Sequence, residues 1–239
     1  MLLAAGRGER MRPLSDTCPK PLLTVAGKPL IVWQIEALAR AGHRQLVINH
    51  AWLGEQLTTA LGDGRTLGVQ IRWSPEAHAL GTAGGIVEAL PALAADVFVV
   101  VSSDIHTDFD YRRLAAPARR LAAAGRDLAH LVLVDDHRVK QDFDLTGDRV
   151  SASANPALTY GNIGVFRRDL LTGLTPGEDA DLGRLLRLAV QAGQVSGEHH
   201  AGAWDNVGTP DDLARVNAAA GPAAEHLARV NARAQNHSN

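Results

Sequence analysis

Val97-Phe98-Val99-Val100-Val101-Ser102-Ser103-Asp104 is apolar at its first five positions and then turns polar. A half-buried strand alternates apolar with polar residues. An unbroken apolar run rich in β-branched side chains fits a strand covered on both faces, as in a parallel sheet between helical layers. Asp104 then falls just past the strand, facing the region where open α/β sheets bind ligands. Outward from this run, further strands are expected at Leu2–Ala4, Gln45–Asn49, Val69–Trp73, His130–Val134, Leu158–Phe166 and Val195–His199. Helices are expected at Pro29–Ala41, Trp52–Leu61, Thr82–Leu90, Asp181–Ala192 and Pro210–Ala219. In the first, Leu30, Ile31, Gln34, Ile35, Leu38 and Ala39 follow the three-four spacing of a buried stripe, and Gly42 stands where a helix-ending glycine belongs. Strands alternating with helices of this length make an α/β fold with a mostly parallel mixed sheet flanked by helices.

No Pro/Gly/Ser linker divides the chain, so 1–239 is expected to be a single domain. Asp142–Leu145 and Arg149–Val150, on either side of Thr146-Gly147-Asp148, are expected to form a hairpin laid over the main sheet. Near the carboxyl end Leu213-Ala214-Arg215-Val216-Asn217-Ala218 recurs as Leu227-Ala228-Arg229-Val230-Asn231-Ala232. Two Ala-rich surface helices are the plain explanation, and an oligomer contact the sharper one.

The chain's 239 residues, 46% hydrophobic and 21% charged, exclude an intrinsically disordered protein. Twenty-four basic against 26 acidic residues leave a net charge of −2, which argues against a general nucleic-acid binder. One cysteine, Cys18, excludes a disulfide framework and a Cys-based zinc site. No apolar run approaches the roughly 20 residues that span a bilayer, and Met1–Ala5 is too short for a signal-peptide core. The expected protein is soluble and cytoplasmic, without membrane or nucleic-acid partners, as a monomer or homo-oligomer.

The first strand runs straight into Gly6-Arg7-Gly8-Glu9-Arg10-Met11-Arg12-Pro13-Leu14. Glycines let a backbone approach a ligand and offer N–H groups to phosphate oxygens. Arg7, Arg10, Arg12 and Lys20 against Glu9 and Asp16 make this stretch basic in a slightly acidic chain, which points to a phosphate-rich ligand. Met11 stands where a dinucleotide fingerprint needs its third glycine, and no Gly-Lys-Ser/Thr of a Walker loop is present. Neither a Gly-x-Ser-x-Gly elbow nor a His-Glu-x-x-His helix occurs.

The longer string Leu3-Ala4-Ala5-Gly6-Arg7-Gly8-Glu9-Arg10-Met11-Arg12-Pro13-Leu14, followed by Pro19-Lys20-Pro21-Leu22, resembles the signature of the sugar-1-phosphate nucleotidyltransferases. The resemblance continues through Leu80-Gly81-Thr82-Ala83-Gly84-Gly85, the Asp104 region and Trp204-Asp205-Asn206-Val207-Gly208-Thr209, and covers residues 1 to about 215. Within that family, Ile48-Asn49-His50-Ala51-Trp52-Leu53-Gly54 and Val195-Ser196-Gly197-Glu198-His199 look most like the N-acetylmuramate-1-phosphate uridylyltransferases of cell-wall recycling. Members usually start a few residues earlier, so a first strand shortened at its start is expected.

The resemblance implies a Rossmann-like, GT-A-like fold. Its nucleotide-binding part would span about 1–130, its sugar-binding part about 131–215, and a helical tail about 216–239. It implies magnesium-dependent transfer of a nucleotidyl group from a nucleoside triphosphate to a sugar 1-phosphate, with pyrophosphate released. Uridylyl transfer to N-acetylmuramate 1-phosphate leads; guanylyl transfer to mannose or heptose 1-phosphate is the alternative. A nucleotide-sugar-binding regulatory protein with weakened turnover is a third reading. Arg10 on the triphosphate and Lys20 beside the α-phosphate are the implied catalytic residues. Ala4, Ala5, Gly6, Gly8, Glu9, Gly81 and Thr82 would complete the nucleotide site, Gly81 leaving room for the base and Thr82 capping the next helix.

Ser102, Asp136, Gly161 and Asn162 are the implied contacts to the sugar phosphate. Ser102-Ser103 replaces the family's usual Asn-Gly before Asp104. Mg²⁺ would be held by Asp104 and by Asn206, where relatives usually carry Asp. An amide oxygen brings no charge, so weakened metal affinity is expected. Neighbouring Asp205 could substitute only if the strand bulged. His199-His200 are expected to be surface or structural histidines, Cys18 incidental, and Trp33 and Trp52 packed between helices and sheet.

Overall fold

The computed structural model describes residues 1–123 and 125–220. In chain order its strands and helices are β1 (Leu2–Leu3), β2 (Thr24–Val25), β3 (Lys28–Pro29), α1 (Leu30–Arg40), β4 (Gln45–His50), α2 (Gly54–Leu61), β5 (Gln70–Pro75), α3 (Gly81–Ala89), β6 (Val97–Ser102) and β7 (Ile105–Thr107). There follow α4 (Ala115–Ala122), β8 (Ala129–Val134), β9 (Asp144–Thr146), β10 (Arg149–Ser151), β11 (Thr159–Arg167), α5 (Leu182–Gln191), β12 (Val195–His200) and β13 (Trp204–Asn206). A last helix, α6, covers 210–220.

Nine strands make one sheet in the order β5-β4-β1-β6-β11-β8-β12-β10-β9. β5, β4, β1 and β6 are parallel neighbours, and β12 is parallel to β8. β11 runs against both β6 and β8, so the sheet is mixed and mostly parallel, as expected. The Val97–Ser102 run explains the layering. Val101 joins a cluster with Ile31, Ile35 and Leu38 of α1, whereas Phe98 and Val100 join the opposite one with Ile86 and Val87 of α3 and Leu186 of α5. With both faces covered, a polar residue inside the run would have no solvent to meet.

α1 ends as its glycine suggests. Gly42 takes φ +94° and donates to Ala39 O at 3.0 Å, while His43 donates to Leu38 O at 3.0 Å. The polar member of its stripe, Gln34, is buried with partners: its Nε2 donates to Ile105 O at 2.8 Å and its Oε1 accepts the Tyr111 hydroxyl.

The other face is tight where α3 meets the segment entering α5. A Cβ on Gly84 would collide with the Glu178 carbonyl oxygen. Gly84→Ala is therefore expected to cost about 2 kcal/mol and to lower the thermal midpoint by about 4–8 °C, measured by circular dichroism. An unchanged midpoint would mean that the segment yields freely.

The short strands β2, β3, β7 and β13 were not among the expected elements, and two larger features also depart from expectation. The 142–150 hairpin does not lie over the sheet but extends it, because Arg149 of β10 pairs with Ser196 of β12 and β9 pairs with β10. An open strand edge presents unpaired N–H and C=O groups that a further strand satisfies. Helix α4 was not among the expected elements; its Pro117 sits in the first turn, where a missing N–H costs no intrahelical bond.

A third core, of Met11, Val25, Leu30, Val207 and Val216, ties the amino-terminal loop to α6. Asn217 reinforces it by accepting from Ala26 N at 2.9 Å and donating to Thr24 O at 3.0 Å. Thr209 and Asp212 cap α6 reciprocally, with Pro210 at its first position. The Leu213–Ala218 copy of the repeat thus packs on the loop. The Leu227–Ala232 copy, and the expected helical tail beyond 220, lie outside the described residues. No described helix is long and apolar enough to cross a membrane.

Candidate active site

β4, β1 and β6 end side by side, with Leu2 registered against both Ile48 and Val101. At their carboxyl ends opens a cleft of about 270 Å³. Of the residues expected to hold nucleotide, Ala4, Ala5, Gly6, Gly8, Lys20, Gly81 and Thr82 line it, joined by Ser102 and Asp104. Glu9 and Arg10 are the exposed residues of the 3₁₀ turn Glu9–Met11 and stand outside this lining.

Lys20 is only 8% exposed, and its Nζ lies 2.6 Å from Asp104 Oδ2. An ammonium this buried needs a counter-charge. Its loop is braced from several sides. Gly8 has φ +67°, and a Cβ there would stand 3.2 Å from that of Lys20. Ser15 Oγ donates to Gly8 O at 2.7 Å, Trp52 Nε1 donates to Ser15 O at 2.8 Å, and the Arg7 guanidinium lies 4.5 Å from the Trp52 ring centre. Trp52 therefore pins the phosphate-loop candidate instead of packing between helix and sheet. Trp33 does the same for the β2–β3 turn, donating to Val25 O at 3.0 Å with Lys28 Nζ 4.1 Å from its ring centre.

The β7–β13 ladder brings Asp104 and Asn206 together. Asn206 registers against Ile105, and Val207 N donates to Asp104 O at 2.9 Å. Asn206 Oδ1 is buried without a hydrogen-bond partner among the described residues. Leaving such an oxygen bare costs about 1–3 kcal/mol, so a site that tolerates it has a use for a donor or a cation there. Asp205 is engaged elsewhere, accepting from Arg138 at 2.8 Å and from Arg215 at 2.5 Å. Both arginines meet the same oxygen of Asp205, Oδ1. Arg10 reaches the same turn: a Cβ on Gly208 would stand 3.3 Å from its Nη2.

The acceptor side differs more from expectation. Asp136 receives Arg138 through both carboxylate oxygens at 2.7 Å, which holds its carboxyl below the usual range, and it lines a separate small cavity. Asn162 has φ +57° where the β11–β8 register shifts, a bulge. The neighbouring Gly161 O accepts Trp204 Nε1 at 2.9 Å, and neither residue lines the cleft.

Gly81 makes room for protein as well as for any base, since a Cβ there would collide with Asp179 Oδ1 and stand 2.7 Å from Ala180 O. Thr82 is the second residue of α3 and does not cap it; the helix has no side-chain cap at its start. His200 is buried with its Nε2 2.9 Å from Asp108 Oδ1, a structural role. Burial raises the Cys18 thiol above its ordinary pKa, which lowers its thiolate fraction at neutral pH.

Several residues of the cleft lining, Asn49 and Glu76 among them, were not expected as site residues. Asn49 and Glu76 both line the cleft and are buried. Their signal was modest: a polar side chain at the carboxyl end of each of two neighbouring strands.

Residues 1–143 match the nucleotidyl transferase family, and the chain belongs to it. It is 46% identical over 227 residues to the N-acetylmuramate alpha-1-phosphate uridylyltransferase of Neisseria meningitidis serogroup B, covering 92% of this chain and 97% of that one. It is 31% identical to the mannose-1-phosphate guanylyltransferase of Mycobacterium tuberculosis, over 91% of this chain and 63% of that relative. Among solved structures, a Bacillus anthracis protein in complex with sucrose shares the fold with TM-score 0.80 at 19% identity, covering 92% of this chain and 94% of its own. HddC of Yersinia pseudotuberculosis, complexed with GMP-PN, does so with TM-score 0.71 at 17% identity, covering 90% and 96%.

Proposed function

We propose that the chain transfers the uridylyl group of UTP to N-acetylmuramate 1-phosphate and releases pyrophosphate. The observation that carries the reading is the 46% identity to the Neisseria uridylyltransferase over nearly the full length of both chains. A phosphate monoester has its second pKa near about 6, so the attacking oxygen is already ionised at neutral pH and needs no general base. It bonds to the α-phosphorus while the bond to the bridging oxygen breaks and pyrophosphate leaves with that electron pair.

The barrier is the meeting of two polyanions, and preorganised cations lower it most. Lys20, desolvated at the cleft floor, supplies a compact charge beside the α-phosphate. Arg10, exposed above Gly208, supplies a planar fork for the departing phosphates. Backbone N–H groups of Ala5–Gly8, together with Gly81 and Thr82 at the start of α3, hold the nucleotide.

Asp104 and Asn206 fit a hard cation: one carboxylate and one buried amide oxygen that lacks a donor among the described residues. Among the described residues no group of three or more His, Cys, Asp or Glu could hold a metal alone. That suits Mg²⁺, which binds through one or two protein oxygens and completes its shell with water and substrate phosphates. When bound, the ion would neutralise charge developing on the phosphates. Asn206→Asp is expected to lower the Mg²⁺ concentration for half-maximal rate about tenfold by adding a negative ligand; an unchanged titration would remove Asn206 from the metal site.

The test is a matrix of nucleoside triphosphates against sugar 1-phosphates, read as pyrophosphate. Release with UTP and N-acetylmuramate 1-phosphate is expected. Release only with GTP and mannose 1-phosphate would favour the activity named for the Mycobacterium relative. Nucleotide binding without any release would overturn the catalytic assignment.

A further inference from the structure

Asn49 and Glu76 form a buried chain of hydrogen bonds beneath the cleft. Asn49 Oδ1 accepts the Ala4 N–H at 2.9 Å, and its Nδ2 donates to Glu76 Oε1 at 2.6 Å. Glu76 Oε2 accepts the Leu80 N–H at 3.1 Å. Ala4 belongs to the wall leaving β1, and Leu80 to the wall entering α3. The two side chains are 2% and 7% exposed. Room is kept for them by Gly85, where a Cβ would stand 2.6 Å from both Asn49 Nδ2 and Glu76 Oε1.

The sheet does not need this chain, since β4 and β5 are already registered from Gln45–Gln70 to His50–Pro75. What the chain adds is a tie between two loops that a nucleotide would lie between. Burial pushes the Glu76 carboxyl up, while the Asn49 and Leu80 donors hold it down.

Resting on the reading of this cleft as the nucleotide site, we propose that Asn49 and Glu76 are positioning residues: a latch that fixes the Ala4–Gly6 wall against the Leu80–Thr82 wall and so sets affinity for the triphosphate. The polarity of the chain makes the latch testable. Every donor has one acceptor: Ala4 N–H to Asn49, Asn49 to Glu76, Leu80 N–H to Glu76. In Glu76→Gln the new amide either faces the Asn49 amide, donor against donor, or leaves Leu80 N–H bare. Asn49→Asp sets two carboxylates against each other. The double variant N49D/E76Q restores every bond with the central one reversed: the introduced glutamine amide donates to the introduced aspartate, and its carbonyl oxygen accepts from Leu80 N–H.

Both single variants are expected to raise the Michaelis constant for UTP about tenfold. Turnover at saturation and the Michaelis constant for the sugar 1-phosphate should change little. Amide hydrogen exchange in 76–82 should quicken, and the double variant should return both readouts to within about threefold of wild type. A merely structural role would lower the melting temperature without this split between substrates. A double variant no better than the singles, or a loosened 76–82 segment with an unchanged constant for UTP, overturns the latch. Should the singles fail to fold, the double variant decides alone: a folded protein with near wild-type affinity supports the latch, and an unfolded or weakly binding one overturns it. A wild-type protein that releases no pyrophosphate with any pair would sink the reading of the cleft and the latch with it. Active wild type with unaffected variants sinks the latch alone.

Discussion

Lys20→Ala is expected to slow pyrophosphate release by roughly 100- to 1,000-fold while the protein stays folded. Lys20 is buried under the phosphate-loop candidate and paired at 2.6 Å with Asp104. In so dry a place a charge acts on its neighbours far more strongly than in water. Alanine removes that charge, and among the described residues no other lysine lines the cleft. The Asp104 side chain is 29% exposed, so water can solvate the carboxylate left behind, and the melting curve should shift little. Lys20→Arg should recover little, because a planar fork does not reproduce the compact charge seated 2.6 Å from Asp104 Oδ2. Near-normal turnover in Lys20→Ala would overturn the assignment.

Asp104→Asn should be nearly as damaging, for a different reason. It keeps the shape of the side chain but leaves two neutral amides, at 104 and 206, to attract a divalent cation. Metal binding by carboxylate is mostly charge, so saturation by Mg²⁺ should disappear from the accessible range and the rate should fall by at least about 100-fold. A chelator added to the wild type should bring it down to the level of the variant. The second consequence is thermal: Lys20 loses its counter-charge while remaining buried, which destabilises the fold. Wild-type Mg²⁺ saturation in Asp104→Asn, measured by pyrophosphate release, would exclude Asp104 as a ligand.

What was readable in advance follows how local each cause is. β6 and α1 were legible because an unbroken apolar run in the one and a buried stripe in the other report their packing directly. The 142–150 hairpin was visible as a hairpin, but its place at the sheet edge depends on Ser196, far along the chain. α4 is short and alanine-rich with Pro117 in its first turn, so its composition hides a buried face carried by Pro117 and Leu121 alone.

The site divides in the same way. The glycine loop, Lys20 and Asp104 announce themselves through an ordered string of residue types. Asp136 and Asp205 looked available because nothing in their immediate sequence shows that the Arg138 and Arg215 side chains converge on them. Asn49 and Glu76 went unnoticed because their meaning lies in each other, across two strands and two loops.

The short ladder between β7 and β13 has a consequence for biosynthesis. The stretch that matches the family ends at residue 143, yet Asn206 meets the Asp104 segment only through β13. A nascent chain can thus leave the ribosome with its glycine loop and Lys20 complete while the second oxygen of the pair is still untranslated. On the proposed reading of the site, the Asp104–Asn206 pair is therefore complete only late in synthesis, when β13 docks on β7.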